Sequence, residues 1–373
     1  MPRAGVPGAW KGLIPRGVSA RYMPGELVKD SVIIKDPTEA SQIYNKGFYG
    51  YPLSGGGLEM DLMEAIYLVE SARLEVVMDD EPISLERLVA SASSAHRDFE
   101  IKYIVYRDLR SRGYLVKPAG DEFDFRVFPR GGTPNSSHTK NWVSAISERS
   151  VFKIAPFMEG MKRSERTRKE LLIAIVDEEG DITYYHADRS EPKGVADTSW
   201  EGPAVRAAML EDRVMIFDEG PAQRVYDHGF FGKKLGKVLQ LSLIEAAYLM
   251  ELGRLEVSTI VSGRKVPLER FKKRALKFQQ DFDLRLRAYN DLRSRGLVVK
   301  TGFKYGSHFR VYEDDPERSH ARWLVHAVPQ DYETIWPEMS RAVRLAHGVK
   351  KEILFAWVKE DGTEYMRLSR VRP

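Results

Sequence analysis

Apolar residues at Leu241, Ile244, Tyr248, Leu252 and Leu255 recur three or four positions apart, the spacing of one face of a helix. A second face runs through Phe271, Phe278, Phe282, Leu286, Tyr289 and Leu292. Gly296, just past Arg293 and Arg295, suits the end of that helix, because glycine takes the left-handed C-terminal cap without steric cost. Shorter apolar runs predict strands over Leu297 to Val299, Phe309 to Tyr312 and Trp323 to Val328, with a GFKYG turn between the first two. A helix is expected from about Ile335 to His347, closed by Gly348. A last hairpin pairs Ile353 to Val358 with Glu364 to Ser369 across Asp361-Gly362, a dipeptide that favours hairpin turns.

The pattern occurs twice. YRDLRSRGYLVK from Tyr106 returns as YNDLRSRGLVVK from Tyr289, and YNKGFYG around Gly47 as YDHGFFG around Gly229. EAIYLVESARLEV from Glu64 matches EAAYLMELGRLEV from Glu245, and RKELLIAIV around Lys169 matches KKEILFAWV around Lys351. Each copy opens with a strand-like segment, SVIIKD from Ser31 and RVMIFD from Arg213. The expected fold is α+β, a tandem duplication of a unit made of a small helical and strand N-terminal part and a compact mixed α/β nuclease-like domain. The expected boundaries are a flexible N-terminal arm at 1–23, a first unit at 24–188 and a Pro- and Gly-containing linker at 189–202. The second unit then has an N-terminal part at 203–280 and a catalytic domain at 281–373.

Composition narrows the class. The chain has 373 residues, 43% apolar and 30% charged, which is soluble globular character with room for more than one core. It has no cysteine, which removes disulfide frameworks and Cys-based zinc sites and fits a reducing interior. No apolar run approaches bilayer length and no signal-peptide core opens the chain, so a cytoplasmic protein without a membrane partner is expected. A net charge of +4 is compatible with a nucleic-acid partner and decides nothing further.

Candidate chemistry gathers between Lys300 and Lys351. This stretch runs through VKTGFKYGSHFRVY, ERSHARWLV and RAVRLAHGVKKEILFAWV, and it sets Tyr305, His320 and Lys351 in order. Metal-free cleavage of RNA by its own 2′-hydroxyl needs a base, an acid and a cation, and a phenol, an imidazole and an ammonium form a set that could supply them. The joint spacing of the GxKYG turn, the H-x-x-aromatic-x-V strand start and the V-K-K before a strand resembles the catalytic domain of the archaeal tRNA-splicing endonucleases, of the homodimeric tandem-repeat type. That resemblance covers about residues 30 to 373. It implies Tyr305 as general base, His320 as general acid and Lys351 as charge stabiliser, with no metal and no cofactor. It also implies a precursor-tRNA substrate presenting a bulge-helix-bulge, and 2′,3′-cyclic phosphate and 5′-hydroxyl ends.

The same resemblance implies that Arg344 and Arg370 sandwich a flipped-out base, where the first copy has Lys162 and Asp188. The copies also differ at the active set. Counting back from the FRV strand gives Tyr305 but Asp121, and counting back from the strand tryptophan gives His320 but Thr139, with His138 one position off. Only the lysine persists, as Lys169, so the first copy is expected to be structural. Its last hairpin instead carries Asp177, Glu178, Glu179 and Asp181 in one turn. By the resemblance, this acidic loop docks on the catalytic half of another chain and makes a homodimer. Two other readings stay open at this point: a metal-dependent nuclease using Glu352 beside Lys351, and a non-catalytic RNA-binding or structural subunit of a splicing complex.

Overall fold

The structure, a computed structural model, describes residues 24–120, 122–134, 136–196 and 202–373. The expected N-terminal arm at 1–23 and Asp121 lie outside the described residues. The chain divides into two compact units. One holds the described residues up to Ser147 with Leu172–Thr183, and the other holds Glu148–Leu171 and Tyr184–Arg372.

The first unit opens with a six-stranded sheet, in which Gly25–Val28 pairs antiparallel with Ser31–Ile34 and parallel with Val76–Met78. The Leu62–Glu70 helix packs with this sheet. Its second layer is the Phe99–Ser111 helix and the antiparallel strands Val116–Pro118, Phe125–Val127 and Asn141–Ser147.

The second unit repeats the plan. Its five-stranded sheet is antiparallel except where Val205–Met209 runs parallel to Leu255–Thr259. A larger sheet follows in the order Val298–Thr301, Phe309–Tyr312, Trp323–Pro329, Glu352–Lys359 and Gly362–Val371, and residues 184–190 of the Ile182–Ser190 strand add to its last member. The parallel pairing of Trp323–Pro329 with Glu352–Lys359 requires a crossover, which the Trp336–Gly348 helix supplies. That central position explains the unbroken ILFAWV run, since the strand is buried on both faces and no alternation survives.

Three expectations need correction. The helix predicted across Leu241 to Leu255 is confined to Leu243–Glu251, because Ser242 caps it with a reciprocal Ser242–Glu245 capping box and Gly253, at φ 68°, ends it. Leu241 and Leu255 still enter the core, but from the flanking strands. The single helix predicted from Phe271 to Leu292 is two, Leu268–Ala275 and Phe282–Ser294. Between them the chain turns, with the Lys277 and Phe278 amides donating to carbonyls three residues back, and Phe278 points away from the core. Asp281 heads the second helix, where a carboxylate is favoured, and accepts from Arg285 Nε at 2.7 Å. Finally, the segment expected to link the copies begins inside a strand, which runs to Ser190. The Gly194 amide then donates to the Arg295 carbonyl at 3.0 Å and the Ala196 amide to Gly296 at 2.9 Å. Gly296, at φ 74°, ends its helix as expected, and a Cβ there would lie 2.8 Å from the Gly194 carbonyl oxygen.

The duplication extends to buried contacts. In the first copy, Lys117 Nζ donates to Glu64 Oε1 at 2.9 Å and to the Gly50 carbonyl at 2.5 Å, and the Gly50 amide returns a bond to Glu64 Oε2 at 3.0 Å. In the second, Lys300 Nζ donates to the Gly232 and Phe230 carbonyls, and the Gly232 amide donates to Glu245 Oε1 at 2.8 Å. Arg110 and Arg293 grip the same loops, donating to the Gly47 and Gly229 carbonyls, each at 2.8 Å. Gly50 and Gly232 must be glycine, since both have positive φ and a Cβ would approach backbone oxygens to 2.6 and 2.5 Å.

Burial raises the Glu64 carboxyl and lowers the Lys117 ammonium from their ordinary values, and their mutual contact opposes both. Removing one partner strands the other. Lys117→Met is therefore expected to cost about 3–5 kcal/mol of unfolding free energy. Urea denaturation checks this, and an unchanged midpoint would contradict it.

Candidate active site

The Val298–Thr301 and Phe309–Tyr312 strands are joined by a turn with one 3-10 element, Phe303–Tyr305. The turn is rigidly specified. A Cβ on Gly302 would fall 2.3 Å from Ser307 Oγ and 2.8 Å from the Phe309 carbonyl carbon. The Tyr305 amide donates to Gly302 at 2.8 Å, the Gly306 amide to Phe303 at 3.0 Å, and the buried Ser307 hydroxyl to the Phe309 carbonyl at 3.1 Å. Gly306 faces Leu345 of the Trp336–Gly348 helix, whose Cδ1 a Cβ would meet at 3.6 Å.

That contact carries Tyr305 toward the end of the same helix, where Lys351 emerges. The Lys351 amide donates to the Ala346 carbonyl at 2.9 Å, so the residue is fixed just ahead of the Glu352–Lys359 strand. Its predecessor Lys350 has φ 54°, and Arg168, preceding Lys169 in the first copy, has φ 56°. The strained turn is therefore part of the repeated fold rather than a mark of catalysis.

Tyr305 and Lys351 come together. Lys351 Nζ lies 5.8 Å from the Tyr305 ring centre, and Lys304 Nζ lies 5.0 Å from it. A hydrogen bond from Lys304 is the main influence holding the phenol below its ordinary value, helped by the charges of Lys304, Lys351 and Arg310 and opposed by slight burial. Arg310 was not singled out in the sequence. The signal available was its position between buried Phe309 and Val311, which turns it to the opposite face of the strand.

His320 is exposed, three residues ahead of the Trp323–Pro329 strand. Trp323 pairs with Glu352, and the Glu352 amide donates to the Arg322 carbonyl at 3.0 Å, so the residues leading into these two strands lie at the same end of the sheet. Among the described residues, no hydrogen bond or ion pair joins His320 to Tyr305 or Lys351. Two other histidines of this unit, His308 and His326, have ring centres 5.3 Å apart, and burial pushes each down to about 4. They are neutral at physiological pH, and His308 Nδ1 accepts from the Ala327 amide at 3.1 Å.

Arg344 is exposed on the Trp336–Gly348 helix and Arg370 is exposed on the Gly362–Val371 strand; neither has an ion-pair partner among the described residues. Their first-copy counterparts are occupied. Lys162 contacts Glu159 and Glu364, and Asp188 receives two nitrogens of Arg367 at 3.1 and 2.8 Å. Glu352 is likewise engaged, accepting from Trp323 Nε1 at 2.9 Å and from Arg367 Nη1 at 3.3 Å.

The acidic turn has a division of labour that its composition hid. Asp177 Oδ1 accepts from the Glu179 amide at 3.0 Å and the Asp181 amide at 2.9 Å, so this carboxylate shapes the turn itself. Glu178, Glu179 and Asp181 are the exposed members. In the second copy's turn, Lys359 contacts both Asp361 and Glu364.

The chain was also compared with known proteins. The tRNA intron endonuclease N-terminal domain matches residues 23–89 and 205–272, and the catalytic C-terminal domain of that family matches residues 99–184 and 282–365. Relatives called tRNA-splicing endonuclease are similar over nearly the whole length. That of Methanococcoides burtonii is 39% identical over 355 residues, covering 94% of this chain and all of the relative. That of Methanosarcina acetivorans is 39% identical over 357 residues, and that of Haloferax volcanii 32% over 374, each with the same coverage. No helix among the described residues is long and apolar enough to cross a membrane. With both of its domains matched twice and in order, the chain belongs to the tRNA intron endonuclease family.

Proposed function

We propose that this protein is a tRNA-splicing endonuclease that acts in the cytoplasm as a homodimer and cuts precursor tRNA at bulge-helix-bulge boundaries without a metal. Tyr305, as phenolate, takes the proton of the 2′-hydroxyl, and that oxygen forms a bond to phosphorus. The bond from phosphorus to the 5′-oxygen breaks as His320, as imidazolium, donates its proton to the leaving oxygen. Lys351 holds the charge that develops on the non-bridging oxygens. The products are a 2′,3′-cyclic phosphate and a 5′-hydroxyl.

The observation that carries this reading is the ammonium of Lys351 beside the Tyr305 ring, with Lys304 flanking it. An unperturbed phenol near pKa 10 is about one part in a thousand ionised at neutral pH, so lowering by neighbouring cations is what a tyrosine base needs. Arg344 and Arg370 are left to stack on an unpaired base, as planar guanidinium groups can. Two catalytic copies in a homodimer match the two cuts that release an intron. The exposed carboxylates of the Asp177 to Asp181 turn brace the catalytic half of the partner chain.

Tyr305→Phe and His320→Ala should each slow cleavage of an intron-containing precursor by about 10²- to 10⁴-fold. The unaltered protein should cut fully in excess chelator and leave cyclic phosphate ends, and retained cutting by both variants would remove the assignment. Lys304→Met lets the phenol rise toward its ordinary value, so less phenolate exists at neutral pH. The ascending limb of its pH–rate profile should move to higher pH, and a superimposable profile would speak against a tyrosine base. The charge-neutral variant Glu178→Gln, Glu179→Gln, Asp181→Asn should dissociate at lower salt than the parent in sedimentation experiments. Equal dimer stability at every ionic strength would reject the docking role.

A further inference from the structure

Phe303 is 88% exposed, the most exposed phenylalanine among the described residues, and it stands two positions before Tyr305. An aromatic ring left in water forgoes the stabilisation that burial would give it. The main chain that carries it is fixed: Gly302 tolerates no side chain, and its carbonyl accepts from the Tyr305 amide at 2.8 Å while the Phe303 carbonyl accepts from Gly306 at 3.0 Å. On this turn the ring stands in solvent.

The internal repeat supplies a control. The corresponding turn of the first copy, between Lys117 and Phe125, is one residue shorter and has Ala119 and Gly120 where Phe303 falls. The one aromatic there, Phe123, is buried and stacks on Trp142 at 5.1 Å. The fold thus does not require an exposed ring at this turn, and the ring occurs only in the copy that carries Tyr305 and His320. The charges acting most strongly on Tyr305, next to it, are all cationic: Lys304, Lys351 and Arg310. An exposed apolar ring two residues from a phenol flanked by cations suits a ligand with flat apolar faces and a polyanionic backbone, which is a description of unpaired RNA.

We infer that Phe303 is a stacking platform for an unpaired base next to the scissile phosphate, a contact separate from the Arg344 and Arg370 pair. The inference rests on the endonuclease reading and deepens it. Stacking against the ring fixes the nucleotide beside the phenol, so Phe303 is a positioning residue.

The test uses the full-length protein and a bulged RNA with 2′-deoxyribose at the cut nucleotides, so that binding is read without cleavage. A 2-aminopurine replaces the unpaired base adjoining the cut. Phe303→Ala should weaken binding by about 5- to 150-fold, the range found when one base loses an aromatic partner. It should also abolish the fluorescence quenching caused by stacking, and Phe303→Trp should restore both. Equal affinity and quenching for Phe303→Ala and the parent overturn the inference and leave the endonuclease reading standing. Dissociation of the dimer in sedimentation, with RNA binding unchanged, also overturns it, since the ring then serves a protein interface. Failure of the parent itself to bind the bulged RNA overturns both readings.

Discussion

The Lys300–Glu245 joint, with the carbonyls of Phe230 and Gly232, is the constraint on which the second copy depends. It locks a strand of the mixed domain to the loop and helix of the N-terminal part, in an interior where burial lowers the ammonium from its ordinary value. An ammonium held among two carbonyls and a carboxylate cannot slide without leaving charge unsatisfied, so the joint fixes register as well as proximity. The same construction at Lys117, Glu64 and Gly50 in the first copy shows that it belongs to the repeated unit.

From that anchor the route to the chemistry is short. Lys300 lies in the strand that leads into the Gly302 turn, and the turn delivers Tyr305 to the end of the crossover helix. The parallel strands on either side of this crossover bring the approaches of His320 and Lys351 to one end of the sheet. Two elements with long sequence separation meet there because the sheet requires a helical connection, and the candidate residues ride on the loops that result.

Divergence between the copies followed the split between core and surface. Packed positions have the same partners in both copies, as Arg110 and Arg293 show, each holding a loop carbonyl with its guanidinium over an aromatic ring. The loops that join the strands differ between the copies. One copy has an acidic turn organised by Asp177, and the other has Phe303, Tyr305 and His320 with a turn in which Lys359 pairs with Asp361.

The sequence by itself determined the duplication, the α+β class and most strands of the mixed domain, because repeated motifs and apolar periodicity are local properties of the chain, and its ordered motifs, by their resemblance to the endonuclease family, named the candidates Tyr305, His320 and Lys351. It misplaced the helix ends around Leu241 to Leu255 and fused two helices across Phe278, since an apolar residue supplied by a flanking strand has the same spacing as one supplied by a helix. Only the tertiary structure decided that Lys304 and Lys351 approach the Tyr305 ring and that Glu352 is taken by Trp323 and Arg367. It also decided that Asp177 is spent on its own turn and that Phe303 stands in solvent. Those are statements about distance and burial, and they depend on how strands far apart in sequence pair.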